Sequence, residues 1–242
     1  MVLLGLGLPL QAAAKDLAIC AKAKGHPKHY LDEAGQPKGY AVDIAAEAVR
    51  RAGYDPKVYN VPWKRAQRMA LDGKCVITAF SVTEPRKKHY LFSDAMFIDP
   101  VLLWQSVHRR FRFQRFEDLV GMHIGIPAAS HYSGDFERVR PKIKLYEDMD
   151  KQASLKMLIK GRLDGAIFPG GAATVKYLAN QQGLDISKVT ASEKPISEDP
   201  NHIGVPKSLA GFSPETVLDQ LNDSLAGMKA DGTIEALLDR YR

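Results

Sequence analysis

The sequence predicts an α/β protein built as two lobes. Short apolar runs of strand character alternate with runs of helical periodicity, the pattern of parallel sheets covered by helices. The alternation comes as two series, separated by an extended run at residues 101–107. A stretch rich in proline and acid at residues 193–200 reads as a second connector. Two connectors make the chain cross between the lobes twice and leave a cleft.

In the first series, L-A-I-C at 17–20 is a short strand. Val42, Ala45, Ala48 and Val49 fall at helical spacing over 41–52, and Gly53 stops that helix. Residues 57–61 form a strand. Pro62 suits the first turn of a helix running to Leu71, ended by Gly73, and 76–80 is the next strand. In the second series, strands are expected at 123–126 and 143–146. Asp150 caps a helix that reaches Lys160 before Gly161. A strand at 165–168, a helix at 172–182 and a strand at 189–191 follow. Ser213-Pro214 is an N-cap with proline at the first helical position, and 233–241 is a final amphipathic stretch after Asp231-Gly232.

Composition narrows the function classes. At 242 residues, 45% hydrophobic and 26% charged, the chain has the make-up of a soluble globular protein of one large or two small domains. The formal net charge of +6 suits anionic partners without identifying one. With only 2 cysteines there is no disulfide framework and no zinc cluster. Cys20 and Cys75 either pair in an oxidising compartment or stay as buried thiols. Residues 2–10 form an apolar stretch, and Ala12-Ala13-Ala14 fits a small-residue cleavage site. Residues 1–14 are therefore read as a signal peptide remnant on a periplasmic protein, the alternative being an apolar first element of the fold. No later run is long enough to span a bilayer. The sequence has no Gly-x-Ser-x-Gly elbow, no His-rich metal spacing and no recognisable pair of cleft carboxylates, so no catalytic residues are assigned.

The most informative stretch is A-F-S-V-T-E-P-R at 79–86. It closes the apolar run C-V-I-T-A-F with a polar turn ending in a fixed positive charge. An arginine just past a strand's carboxyl end can hold a carboxylate through two parallel hydrogen bonds, at the edge where open α/β sheets bind ligands. The plain alternative is a solvated arginine. A second conspicuous run, H-R-R-F-R-F-Q-R-F at 108–116, interleaves arginine with phenylalanine. It reads either as a nucleic-acid clamp or as a strand with an apolar inner face and a solvated basic face, and the secretory start favours the second.

A series of motifs resembles one family, the extracellular solute-binding proteins of family 3, the periplasmic polar-amino-acid receptors of ABC importers. The motifs are Y-L-D-E-A-G-Q-P-K-G-Y-A-V-D-I at 30–44, V-P-W at 61–63, S-V-T-E-P-R at 81–86 and F-S-D-A at 92–95. E-D-L-V-G at 117–121, G-R-L-D-G-A at 161–166 and M-K-A-D-G-T-I-E-A-L-L at 228–238 continue it. The resemblance implies a type II clamshell with lobe one at 15–103 plus 200–242, lobe two at 104–199, and a two-strand hinge. It also implies a monomer that binds a small carboxylate-bearing solute without a cofactor, a permease as partner, and no nucleic acid. By the same resemblance Arg86 binds the ligand's carboxylate, and Phe80 and Ser81 supply strand-end groups. Trp63 packs on the ligand's body, and His29 and Tyr30 form an aromatic wall. Ala129, Ser130 and His131 belong to the loop whose amides meet the carboxylate. A dehydratase of the cyclohexadienyl type on the same scaffold is the competing enzyme reading, and a sensor is the other alternative.

Two departures from the family pattern stand out. Where the amino-acid receptors place an aspartate for the ligand's ammonium, this chain has Pro169, without charge or N–H. The apolar residue usual after the first loop's proline is replaced by Lys28. The carboxylate half of the site is kept and the ammonium half lost, which points to a non-amino carboxylate, a modified amino acid or a larger solute, unless Glu198 or Asp199 supplies the charge from the hinge.

Overall fold

The computed structural model describes residues 14–127, 130, 132–148 and 151–241. The signal-like segment 1–13 and the expected helix cap Asp150 lie outside the described residues. The chain begins with β1 (Asp16–Lys22), a small meander β2 (Lys24–Gly25), β3 (His29–Leu31) and β4 (Pro37–Lys38), then α1 (Tyr40–Arg51) and β5 (Asp55–Val61). Next come α2 (Trp63–Leu71), β6 (Val76–Phe80), α3 (Glu84–Lys87), β7 (Tyr90–Phe92) and the long β8 (Phe97–Ser106). β9 (His123–Pro127), α4 (Gly134–Val139), β10 (Lys144–Asp148), α5 (Lys151–Ile159), β11 (Gly165–Phe168) and α6 (Gly171–Gln181) follow. The return strand β12 (Val189–Pro206) leads to α7 (Pro214–Ala230) and α8 (Thr233–Asp239).

Among the described residues nine strands form one continuous sheet, in the order β10-β9-β11-β8-β12-β6-β1-β5, with β7 also paired to β12. β1 runs parallel to β5 and β6, and β9 parallel to β10 and β11. The two parallel groups are joined by the antiparallel pair β8 and β12. The buried residues divide accordingly. Two clusters draw on residues between Leu17 and Phe97 and between Ile203 and Leu237, and two others on residues between Val101 and Ile196. The fold is the type II periplasmic-binding architecture.

Local sequence explains these elements. α1 buries Tyr40, Ala41, Ile44, Ala45, Ala48 and Val49 on one stripe and ends with Arg50 and Arg51, which suit the negative end of its dipole. β6 is V-I-T-A-F with every residue buried, since it has β1 on one side and β12 on the other. Pro62 turns out to be the N-cap residue of α2 rather than its first helical residue.

The largest difference from expectation is β12. Residues 193–200 do connect the two halves, but as regular strand. They continue an 18-residue strand that pairs with β8 from Val189↔Ser106 to Asn201↔Phe97. Proline and acid hide a strand in the sequence: Pro195 is tolerated because the register shifts on both sides of it, while Pro200 stands within the regular stretch, opposite Ile98. The basic-aromatic run 108–116 is not a strand either. It is irregular up to a short 3-10 turn at Phe116–Leu119, and the Asp118 carboxylate accepts the amides of Gln114 and Arg115. Phe113 and Phe116 are nevertheless buried while Arg110 and Arg112 are exposed, so the inward-outward division holds without a ladder.

The cysteine question resolves as a disulfide. Cys20 in β1 and Cys75, which precedes β6, are bonded and fully buried, with Cα atoms 5.8 Å apart. The bond closes a loop of 55 residues, for which the chain-entropy account gives about 4 kcal/mol of stabilisation. A Cys20→Ser, Cys75→Ser double variant should lose about that much in urea denaturation. A reductant should lower the midpoint of the parent protein and leave the variant's unchanged.

Candidate functional site: the cleft between the two halves

The turn after β1 sets one wall. The carbonyls of Pro27 and Lys28 accept the amides of Tyr40 and Ala41 at the start of α1. Gly39 precedes that helix at φ 120°, and a Cβ there would lie 2.4 Å from the Lys28 carbonyl oxygen, so only glycine lets the loop sit so close. Docked in this way, Lys28 reaches the strand pair. Its Nζ donates to Asp99 Oδ2 at 2.6 Å and to Asn201 Oδ1 at 2.5 Å. Tyr40 donates its hydroxyl to Asp99 Oδ1 at 3.0 Å, and burial, with Asp99 alongside, raises its pKa and keeps it protonated as a donor. Asp99 is thus fully engaged.

The end of β6 sets the second wall. Phe80 pairs with His202 but Ile77 pairs with Gly204, so β6 carries an extra residue here, and Ala79 takes a left-handed φ of 54°. Such a bulge re-aims the chain beyond it. The Phe80 ring is buried against Trp63, Tyr90 and Phe92. Arg86, from α3, lays its guanidinium over this ring at 3.9 Å, a cation–π contact. Its Nη1 donates to the Ser81 carbonyl at 2.7 Å. That is the guanidinium's single hydrogen bond among the described residues, and burial pushes its pKa down, partly opposed by Tyr90 and Asp199. A desolvated cation with spare donors is short of an anion.

The opposing wall comes from β11 and α6. Pro169, Gly170 and Thr174 border the cleft with Lys151 of α5. Gly170, at φ 89°, caps α6, and a Cβ there would meet Thr174 Oγ1 at 2.4 Å. Across the gap, the ring of His26 stacks on Tyr30 at 3.6 Å and on Tyr177 of α6 at 4.4 Å, so a contact bridges the two walls.

Lys28, Tyr40, Ala79, Asp99 and Asp199 on one side and Pro169, Gly170 and Thr174 on the other line a cavity of about 290 Å³. Of the residues expected at the site, His29, Trp63 and Pro169 line it. Tyr30, Phe80, Ser81 and Arg86 stand beside the lining, linked to it through His26, Trp63 and Ala79. Ser130 donates its amide to Pro127 and its carbonyl accepts from Arg140, while its hydroxyl is buried without a partner. Ala129 and His131 lie outside the described residues. His29 is 7% exposed, and its Nδ1 has no partner. Burial, then the nearby Lys28 and Lys22, hold its pKa at about 3. It is therefore a neutral aromatic wall. Sequence reasoning did not single out Asp99, Tyr40, Asn201 or His26. Lys28 is visible in the sequence only as a departure from the family pattern.

The model of the bacterial extracellular solute-binding proteins, family 3, matches residues 17–242. The chain belongs to that family. Among family 3 relatives, the ABC transporter arginine-binding protein 1 of Escherichia coli (strain K12) is 26% identical over 170 residues, which is 69% of this chain and 65% of that protein. The chain thus covers just under two thirds of that relative. The L-cystine-binding protein TcyJ of the same organism is 22% identical over 89% of this chain and 78% of its own. Substrate binding domain 2 of Lactococcus lactis GlnP, solved in an open conformation, superposes with a TM-score of 0.75 at 17% identity, covering 96% of this chain and 97% of that one. Among the described residues no helix is long and apolar enough to cross a membrane.

The Lys28–Asp99 pair is largely buried, with 20% and 12% of the side chains exposed. Asp99→Asn strands the lysine and should cost about 3 kcal/mol in chemical denaturation. His29 gives a pH signature. The unfolded chain protonates it near 6.5, whereas the folded chain holds it neutral down to about 3. Its contribution is present above the unfolded value and is lost as pH falls through that window, with a slope of at most about 1.4 kcal/mol per pH unit. The urea midpoint of the parent protein should fall more steeply over this range than that of His29→Gln.

Proposed function

We propose that this family 3 protein is the substrate-binding component of an ABC-type importer, and that it takes a small carboxylate-bearing solute in the cleft. The observation that carries the reading is Arg86. It is a half-buried guanidinium on the Phe80 ring, with one backbone hydrogen bond and donors to spare, and that ring packs against Trp63 of the cavity lining. The two sides of the cavity are the two lobes, 15–103 plus 200–242 and 104–199, with β8 and β12 as the hinge. Contacts from both sides favour the closed shape, which a permease in the inner membrane then reads. The protein acts in the periplasm as a monomer and binds without turnover. Buried Cys20–Cys75 suits that oxidising compartment. The arginine and cystine receptors among its relatives support a solute of amino-acid size.

A thermal-shift series over amino acids, keto acids, dicarboxylates and aromatic acids tests this. One class should raise the melting temperature, since saturation at a hundred times Kd is worth about 2.7 kcal/mol. Arg86→Ala should weaken that solute by about 3 kcal/mol, roughly 150-fold in Kd. If no carboxylate stabilises the protein, or the response survives Arg86→Ala, the assignment fails.

A further inference from the structure

We propose that the basic-aromatic run builds a second site, separate from the cleft, that takes a phosphate group. The proposal stands apart from the reading of the cleft. Residues 110–114, with Glu193 and Lys194 of β12, line a groove of about 690 Å³, and none of them borders the cleft cavity. The segment that presents the arginines is held in place without a ladder. The Phe111 amide donates to Oε1 of buried Gln105 at 2.9 Å, and the amides of Gln114 and Arg115 donate to Asp118. Between these anchors burial alternates. Phe113 is buried and Phe111 half-buried, while Arg110 and Arg112 are exposed. Side chains two residues apart on an extended segment stand on one side, about 7 Å apart. That spacing lets two guanidiniums grip one tetrahedral oxyanion between them.

A third cation comes from β12. Ala191 pairs with Trp104 and Pro195 with Leu102, so β12 carries extra residues between these pairs. An irregularity of this kind re-aims side chains. Here Lys194 Nζ lies 5.1 Å from the centroid of the Phe116 ring and 5.9 Å from that of Phe113, and it donates to the Gln114 carbonyl at 2.6 Å. Charge decides the class of ligand. Arg109 and Arg115 are committed, to Asp164 at 3.2 Å and to Asp118 at 3.9 Å. Arg110 and Arg112 make no hydrogen bond or ion pair among the described residues, although Asp118 feels the charge of Arg112. The groove therefore sets Arg110, Arg112 and Lys194 against the single carboxylate of Glu193. A phosphate monoester, with about two negative charges near neutral pH, matches that surplus, whereas a carboxylate supplies half of it. A phosphorylated solute and a phospholipid headgroup present the same group, and the two are separable by experiment.

Calorimetry with inorganic phosphate and with acetate, at constant ionic strength, tests the site on three proteins. They are the parent, an Arg110→Gln, Arg112→Gln variant, and an Arg109→Gln, Arg115→Gln variant that removes the same charge from paired arginines. Phosphate should bind the parent roughly 10-fold more tightly than acetate does. Loss of Arg110 and Arg112 should weaken phosphate roughly 10- to 100-fold, while loss of Arg109 and Arg115 should leave its affinity near the parent's. Because Arg110 and Arg112 have no partner to lose, the unliganded melting temperature of their variant should equal the parent's, which separates lost binding from lost folding. Flotation with phosphatidylcholine vesicles, with and without phosphatidic acid, identifies the source. Recruitment that needs phosphatidic acid together with Arg110 and Arg112, with inorganic phosphate silent, assigns the site to a lipid headgroup. Silence of both probes, acetate binding as tightly as phosphate, or phosphate binding that survives without Arg110 and Arg112 overturns the proposal. An equal loss in the two arginine variants overturns it too, since the run would then act only as a diffuse positive field.

Discussion

The pairing of β8 with β12 is the constraint on which the rest of the molecule depends. Each strand crosses from one parallel group to the other, so a single antiparallel ladder carries every covalent connection between the halves. It also fixes what can face the cleft. Period-two alternation aims Asp99 and Asp199 at the same side, and the ladder brings them abreast. The first βα loop must then deliver a cation, and its docking on the amides at the start of α1 lets Lys28 do so. Glycine at position 39 follows from that docking, and Asn201, fully buried, ties the Asp99 carboxylate to the Asp199 backbone.

The cleft is an uneven electrostatic environment. The groups on the strand pair are arranged around negative charge, whereas Arg86 is a half-buried cation propped on Phe80. His29 lies between these influences and responds by staying neutral, which spares the loop a third positive charge beside Lys22 and Lys28. A site with its poles set apart in this way orients a solute before any shape matching is felt, because charge acts over longer distances than contact.

Much of this was legible in the sequence, and the illegible part has a physical reason. Elements with strong local signals, such as α1 with its apolar stripe and the apolar run of β6, were located within a residue. Arg86, Trp63 and Pro169 could be placed because they sit in motifs whose spacing survives. β12 could not, since its proline and acid reflect a hinge strand stabilised by its partner rather than by its own propensity. The Lys28–Asp99 contact joins residues 71 apart, and no local pattern announces it. The bulge at Ala79 was equally hidden, because alanine gives no hint of a left-handed backbone.

The stack of Tyr30, His26 and Tyr177 joins the two walls without any bound molecule. Aromatic contacts of this kind are worth about 1 kcal/mol each, so separating the walls forfeits something near twice that. The approach of the walls therefore has a contribution that owes nothing to a solute's chemistry, and a solute that touches both walls adds to it rather than supplying the whole.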